Sequence, residues 1–285
     1  MSGILYIVGT PIGNLGDFSP RGVKTLSEVD FIAAEDTRVS IKILNHFDIK
    51  KPLISYFEHN KDFKGQEILQ RLLKGESCAL VTDAGMPAIS DPGEDLVALC
   101  SQNGIKIVAV PGPCAAVTAL AMSSLPCGRF CFEGFLSMNK KLRKEHLASL
   151  VNEQRTIVLY EAPHKLKSTL NDLYKAFGER RISLAREITK IHEEVITTTL
   201  SESIEFYSQN EPRGEFVLII EGAKPKEENQ VSNEEQRLQN ALELIEIYMS
   251  EGNSRTQAVK RASKELDVSR SELYKLTLIN PKEKE

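Results

Sequence analysis

The feature that most constrains the fold is a regular alternation of short apolar runs with helical patterns. Apolar runs at residues 5–8, 31–34, 53–56, 79–82 and 105–110 are strand candidates, and helical patterns lie between them. Such alternation is typical of a mostly parallel sheet that is covered by helices on both faces. The sequence therefore predicts an α/β domain, which we assign to residues 1–115.

A second series of apolar runs follows a small-residue helical pattern at residues 115–125. Its strand candidates are residues 130–132, 156–160, 182–185, 195–200 and 216–220. The later runs are rich in β-branched residues and two of them lie close together, which favours a mixed or antiparallel sheet. We predict a second α/β domain over residues 116–223.

The composition changes sharply after the last of these runs. Residues 224–231 are charged and lack an apolar anchor, as in a linker, and residues 232–285 are predicted to form a small helical module. Helical patterns at residues 255–266 and 271–278 are joined by a tight turn, the spacing of a helix-turn-helix. Basic residues outnumber acidic ones in this pair, so it is either an RNA-contacting element or a packing module.

The overall composition is that of a soluble globular protein, with 41% hydrophobic residues, 27% charged residues and a net charge of -4. No apolar run approaches the roughly 18 to 20 residues that cross a bilayer, and the amino terminus has no signal-peptide pattern. The five cysteines are odd in number and lack metal-binding spacing. We therefore expect reduced, mostly buried thiols, no metal site and a cytoplasmic location.

The turn at residues 82–93 is the most informative local segment. It follows an apolar run and contains two glycines, two prolines and two aspartates. In open α/β sheets, turns at the carboxyl ends of strands hold ligands. A turn of this composition exposes backbone amides and carbonyls, which favours binding of a small polar cofactor. The alternative is an ordinary surface connection.

The glycine-rich turn at residues 8–17 disfavours two common ligand classes. Glycines after a first strand permit close backbone approach to a ligand. However, the spacing is not that of a dinucleotide-binding motif, and Pro11 stands where that motif needs an open amide. No Gly-Lys-Ser/Thr follows, so a phosphate-binding loop is also disfavoured.

Charged residues follow other predicted strands. Glu35, Asp36 and Arg38 come after the second strand and are expected to face the same crevice as Asp83. Asp36 is equally suited to cap the following helix. At the corner after the fifth strand, helix-start amides near Cys114 suit a carboxylate, although a plain strand-to-helix corner also fits.

Several motifs occur together in a characteristic order. They occupy residues 9–17, 34–38, 82–93, 111–113, 160–164 and 186–190. Together they resemble the tetrapyrrole methylase superfamily and, within it, the methyltransferases of small-subunit ribosomal RNA. The resemblance extends over about residues 5–222, and the C-terminal helices resemble the small helical extension of those enzymes.

This resemblance implies S-adenosylmethionine-dependent 2′-O-methylation of a cytidine ribose in the decoding region of 16S rRNA. It also implies a homodimer of two-domain α/β subunits that bind the cofactor in the interdomain cleft. The implied cofactor-binding residues are Pro11, Asp83, Ala84, Gly85, Met86, Ile89, Cys114, Ala115, Glu161 and Ile188. Cys114 departs from the small hydroxyl residue that is often found at its position.

The chemistry of methyl transfer agrees with this assignment. The sulfonium is already a strong electrophile, so the protein must chiefly align the acceptor oxygen and exclude water. A ribose hydroxyl is a weak nucleophile, so we expect a base, either Glu35 or Asp36. We expect three basic residues to bind phosphate or to stabilise charge: Arg38, Arg186 and Lys190.

Three alternatives remain at the level of the sequence. The first is a tetrapyrrole C-methyltransferase that acts on a corrinoid or uroporphyrinogen-like precursor. The second is a non-catalytic RNA-binding protein that senses the cofactor. The third keeps the RNA substrate but places the methyl group on the N4 atom of the base.

Overall fold

The computed structural model describes residues 2–225 and 230–279. The chain divides into two compact units, the first ending at Ala223 and the second beginning at Lys224. The first unit contains two five-stranded sheets that are separate in hydrogen bonding. This architecture confirms the predicted fold class.

The first sheet is entirely parallel, as the alternation predicted. Its strand order is β3-β2-β4-β1-β5. Its faces bury two separate apolar clusters against flanking helices. The strands are β1 (Ile4–Val8), β2 (Phe31–Ala34), β3 (Leu53–Ser55), β4 (Cys78–Val81) and β5 (Lys106–Val110), and the helices are α1 (Pro20–Glu28), α2 (Thr37–His46), α3 (Lys61–Leu73) and α4 (Gly93–Gln102).

The second sheet is mixed, with the order β6-β7-β10-β8-β9. Only β6 and β7 pair in parallel, and the other neighbours are antiparallel. Its strands are β6 (Phe130–Phe135), β7 (Thr156–Glu161), β8 (Arg181–Arg186), β9 (Glu194–Thr199) and β10 (Phe216–Ile220). The accompanying helices are α5 (Ala115–Met122), α6 (Lys140–Ser149), α7 (Pro163–Phe177) and α8 (Leu200–Gln209).

Two of the boundaries that differ from the sequence prediction have a clear local cause. The strand predicted to include Leu200 ends at Thr199, because Thr199 and Glu202 form a capping box that starts α8. The helix predicted to reach residue 125 ends at Met122, after which the Ser123 hydroxyl donates to the Leu120 carbonyl and accepts from the amide of Leu125. In both places a hydroxyl side chain redirects the backbone.

The second unit is a three-helix arrangement of α9 (Gln230–Ser250), α10 (Arg255–Leu266) and α11 (Arg270–Ile279). Buried apolar residues from all three helices form one small cluster. The turn after α10 is closed by Asp267, which adopts a left-handed conformation with φ of 51°. In the described ranges, no helix has both the length and the apolar character that a bilayer span requires.

Candidate active site

Three turns of the first sheet meet through their backbones. Thr10 and Gly85 exchange hydrogen bonds, with N–H···O distances of 2.9 and 3.2 Å. Gly9 lies so close to the turn after β5 that a Cβ atom on it would stand 2.7 Å from the Gly112 Cα atom. The glycines therefore allow a close approach that a side chain would prevent.

The turn after β4 is held in a strained shape. The Asp91 carboxylate accepts from the amides of Ala88 and Gly93 at 2.9 and 2.7 Å. Ala88 and Ser90 both adopt left-handed conformations, with φ of 66° and 61°. Left-handed non-glycine residues are costly and cluster at binding and catalytic sites. Ile89, between them, is 52% exposed.

Carboxylates converge where β2 and β4 end. The Asp83 carboxylate accepts from the Asp36 amide at 3.0 Å, and Glu35 accepts from the buried Thr82 hydroxyl at 2.6 Å. Burial raises the pKa of Asp83, and the neighbouring charges of Glu35 and Asp36 add to this effect. The turns after β2 and β4 thus form one acidic cluster, as their shared sheet edge predicted.

Asp36 is the N-cap residue of the helix that follows it, α2. Its side chain accepts from the Arg38 amide at 2.8 Å and caps α2. The same carboxylate binds the Arg38 guanidinium at 2.6 Å, and this contact lowers the pKa of Asp36 to about 2. A carboxylate with so low a pKa is a weak proton acceptor, so Asp36 is poorly suited as a base. The Arg38 side chain is 88% exposed.

The corner between β5 and α5 packs against the second sheet. Ile12, Cys114 and Ala115 lie against the cluster that contains buried Ile188. The Tyr160 hydroxyl accepts from the amide of Ala116 at 3.2 Å. This bond satisfies one of the amides at the start of α5. Burial raises the pKa of Tyr160 to about 12, so its hydroxyl stays protonated at neutral pH.

The loop between β8 and β9 faces the glycine-rich first turn. A Cβ atom on Gly13 would lie 2.9 Å from the Thr189 hydroxyl oxygen and 2.5 Å from the Lys190 side chain. Lys190 binds Glu187 at 2.9 Å and Glu215 at 2.8 Å. The Thr189 hydroxyl is buried without a hydrogen-bond partner among the described residues. This hydroxyl is therefore a polar group beside the first turn whose hydrogen-bonding capacity is not satisfied by the described residues.

Glu161 and Arg186 occupy a different side of the second sheet. Both pair in register with Phe216, which belongs to the cluster under α7 and α8 rather than to the cluster under α5. The buried Glu161 carboxylate accepts from the Ala162 amide and the Thr169 hydroxyl. Arg186 binds Glu194 at 3.1 Å. Their predicted site roles remain predictions, and their side chains have internal partners.

Of the remaining predicted cofactor contacts, buried Pro11 and half-buried Met86 lie in the turns described above, and Ala84 is exposed. Sequence reasoning did not single out Thr82, Asp91 or Tyr160. Tyr160 begins the motif at residues 160–164, which was a signal for it. The partner of Thr82 is distant in sequence, so no spacing rule identifies it. Asp91 bonds amides on either side of it in the chain, and its bond to the amide of Gly93 has the spacing of an Asx turn.

The chain matches the profile of the tetrapyrrole (corrin/porphyrin) methylases over residues 4–204. It therefore belongs to the tetrapyrrole methylase family, which confirms the resemblance drawn from its motifs. Its activity class is methyl transfer.

The names of similar proteins are more specific than the name of the family. A protein of Synechocystis is 48% identical over 277 residues, which cover 97% of this chain and 98% of that protein. A Bacillus subtilis protein is 44% identical over 274 residues, covering 95% and 93%. A Thermotoga maritima protein is 47% identical over 220 residues, covering 77% and 99%. Each of the three is named ribosomal RNA small subunit methyltransferase I.

Solved structures support the fold at low sequence identity. A diphthine synthase superposes with a TM-score of 0.60 at 14% identity, covering 77% of this chain and 90% of that chain. A uroporphyrin-III C-methyltransferase from Thermus thermophilus gives a TM-score of 0.55 at 17% identity, covering 77% and 94%. At such identities the likeness shows the fold alone.

Proposed function

We propose that this protein transfers the methyl group of S-adenosylmethionine to the 2′-oxygen of a cytidine ribose in the decoding region of 16S rRNA. The names of relatives at 43–48% identity support an RNA substrate. The observation that carries the proposal is the meeting of the turns after β1, β2, β4 and β5, which places a carboxylate cluster beside a surface formed by backbone. This surface fits a polar cofactor next to a base.

The residues around these turns fit the cofactor. The close approach of Gly9 and Gly112 leaves backbone rather than side chains at the centre, and the unpartnered Thr189 hydroxyl offers a hydrogen bond nearby. When bound, S-adenosylmethionine supplies an electrophilic methyl group. The residues that would hold it are Pro11, Asp83, Ala84, Gly85, Met86, Ile89, Cys114, Ala115 and Ile188, with Glu161 contributing through its backbone.

The carboxylate cluster supplies the base in this proposal. Glu35 accepts the proton of the ribose hydroxyl, because Asp36 is committed to Arg38 and to capping α2. The exposed Arg38 guanidinium contacts an RNA phosphate, since a guanidinium offers several donors in a fixed plane. Lys190 contributes less free charge, because Glu187 and Glu215 already bind it. Arg186 is similarly engaged with Glu194.

The decisive experiment supplies tritiated S-adenosylmethionine and small ribosomal subunits from a strain that lacks the homologous modification. We expect alkali-resistant label at a single cytidine, because a 2′-O-methyl group blocks cleavage at that nucleotide. Label on the base would move the acceptor to N4. Cofactor binding with no label in subunits or naked rRNA would contradict the proposal and favour a tetrapyrrole substrate or a sensor.

We also propose that the protein is a homodimer. Val117 and Met122 of α5 are 54% and 38% exposed, and the neighbouring strand β5 is an edge of its sheet. Exposed apolar side chains and open sheet edges are both suited to contact with a second copy. Sedimentation equilibrium should give twice the chain mass, and a monomer at micromolar concentration would contradict this proposal.

The second unit contributes RNA affinity in this proposal. Arg261 is engaged with Glu251 at 3.9 Å and lies over the Tyr248 ring at 4.0 Å. Lys260 and Lys264, one turn apart, are exposed on the α10 face away from its buried residues. The chain as a whole is acidic, so a local basic face is needed to attract phosphate.

Reversing both charges, Lys260→Glu with Lys264→Glu, should weaken binding to the small subunit and leave kcat at saturation unchanged. The slope of log affinity against log salt should fall by about 1.4–1.8, since each lost phosphate contact removes about 0.7–0.9. The matched control is Lys24→Glu with Lys175→Glu, which changes two exposed lysines of the first unit. Equal slopes for the two double variants would assign α10 a packing role only.

A further inference from the structure

An exposed aromatic side chain lies at the end of β6. Phe135 is 59% exposed, yet its ring contacts the Tyr160 ring with centroids 5.5 Å apart. Phe132 contacts the same tyrosine at 5.0 Å. Phe135 therefore lies on the sheet face that carries Tyr160, which is the face that packs against α5.

Two contacts connect this position to the proposed cofactor surface. The Tyr160 hydroxyl accepts from the Ala116 amide at the start of α5. On the other side, a Cβ atom on Gly134 would lie 2.9 Å from the Ser90 hydroxyl oxygen, so the strained turn after β4 reaches β6 directly beside Phe135. Phe135 thus adjoins both the α5 corner and the turn that carries Ile89.

We propose that Phe135 binds the acceptor nucleotide by stacking on its base. This inference rests on the proposed RNA substrate and names the residue that positions it. Proteins that recognise unpaired RNA stack its bases on aromatic side chains. The Tyr160 ring holds one side of Phe135, so the exposed ring is already oriented before RNA arrives. Ile89 and Met138, at 52% and 77% exposed, add apolar surface near the same turn and strand end.

The same strand provides an internal control. Phe130 begins β6, pairs in register with Thr156 and is 39% exposed. It lies at the opposite end of the strand from the proposed cofactor surface. A general effect of removing an exposed phenylalanine from β6 should therefore appear in both positions, whereas base stacking should involve Phe135 alone.

The test compares Phe135→Ala, Phe135→Leu, Phe135→Trp and Phe130→Ala in methyl transfer to small subunits. We expect Phe135→Ala to lower kcat/KM by about 5- to 150-fold, the range that loss of one aromatic–base stack gives. Phe135→Leu should remain impaired because it lacks a planar ring, and Phe135→Trp should recover most of the activity. Cofactor affinity, melting temperature and oligomeric state should be unchanged in all four variants.

Three results would overturn the stacking role. Wild-type kcat/KM in Phe135→Ala would show that the ring does not contact substrate, and full activity in Phe135→Leu would show that apolar packing suffices. A change of oligomeric state in Phe135→Ala would assign the ring to contact with a second copy. Failure of the wild-type protein to label any RNA is a separate outcome, which would overturn the proposed function and this inference together.

Discussion

Glu35→Gln should lower kcat for methyl transfer by about 10²- to 10⁴-fold, the usual contribution of a positioned general base. The amide oxygen of glutamine can still accept from the Thr82 hydroxyl, which lies 2.6 Å from the carboxylate. The substitution therefore removes the proton acceptor while preserving the local hydrogen bond. Single-turnover rates with small subunits would measure the effect.

The matched control is Asp36→Asn in the neighbouring position. Asparagine caps helices as well as aspartate does, so α2 should keep its start. Because Arg38 holds the pKa of Asp36 at about 2, this residue contributes little as a base, and its substitution should change kcat far less. A larger loss of kcat in Asp36→Asn than in Glu35→Gln would show that Asp36, and not Glu35, is the base. Wild-type turnover in both variants would show that this carboxylate cluster does not supply the base.

The predictable part of this molecule lies in its strands. Buried runs such as residues 31–34 and 216–220 are apolar in sequence, and both are strands in the structure. The motifs at their ends also identified turns that meet in the structure, because strand ends on one edge of a sheet come together. Helices such as α6 escaped prediction because its ten residues include five basic ones and only one buried residue, Leu147.

Side-chain direction was the part that the sequence could not supply. Glu161 and Tyr160 are adjacent and both end β7, yet one packs under α7 and the other under α5. In a strand, adjacent residues point to opposite faces, so a motif places both residues without deciding which face each side chain occupies. The same alternation separates Arg186 from Ala185, which faces α5. Only the packing of the two sheets shows which face each of these side chains occupies.

Gly9→Ala should impair the candidate site by pushing two backbone segments apart, because it removes no reactive group. A Cβ atom at Gly9 would stand 2.6 Å from the Met86 sulfur and 2.7 Å from the Gly112 Cα atom. The sulfur can move, but the opposing backbone cannot move without opening the joined turns. We expect overpacking to cost about 1–3 kcal/mol of unfolding free energy, which lowers the melting temperature by about 2–12 °C.

The substitution should also lower the rate of methyl transfer. A displacement of about 1 Å between these turns would misplace the proposed cofactor surface relative to Glu35, and such misplacement lowers rates by about 100-fold. Gly128→Ala is the control, since a Cβ atom there meets nothing within 4 Å. Differential scanning calorimetry, cofactor titration and single-turnover rates should separate the effects on stability, cofactor binding and catalysis. Equal behaviour of Gly9→Ala and Gly128→Ala would show that the close approach of the turns is not needed for binding.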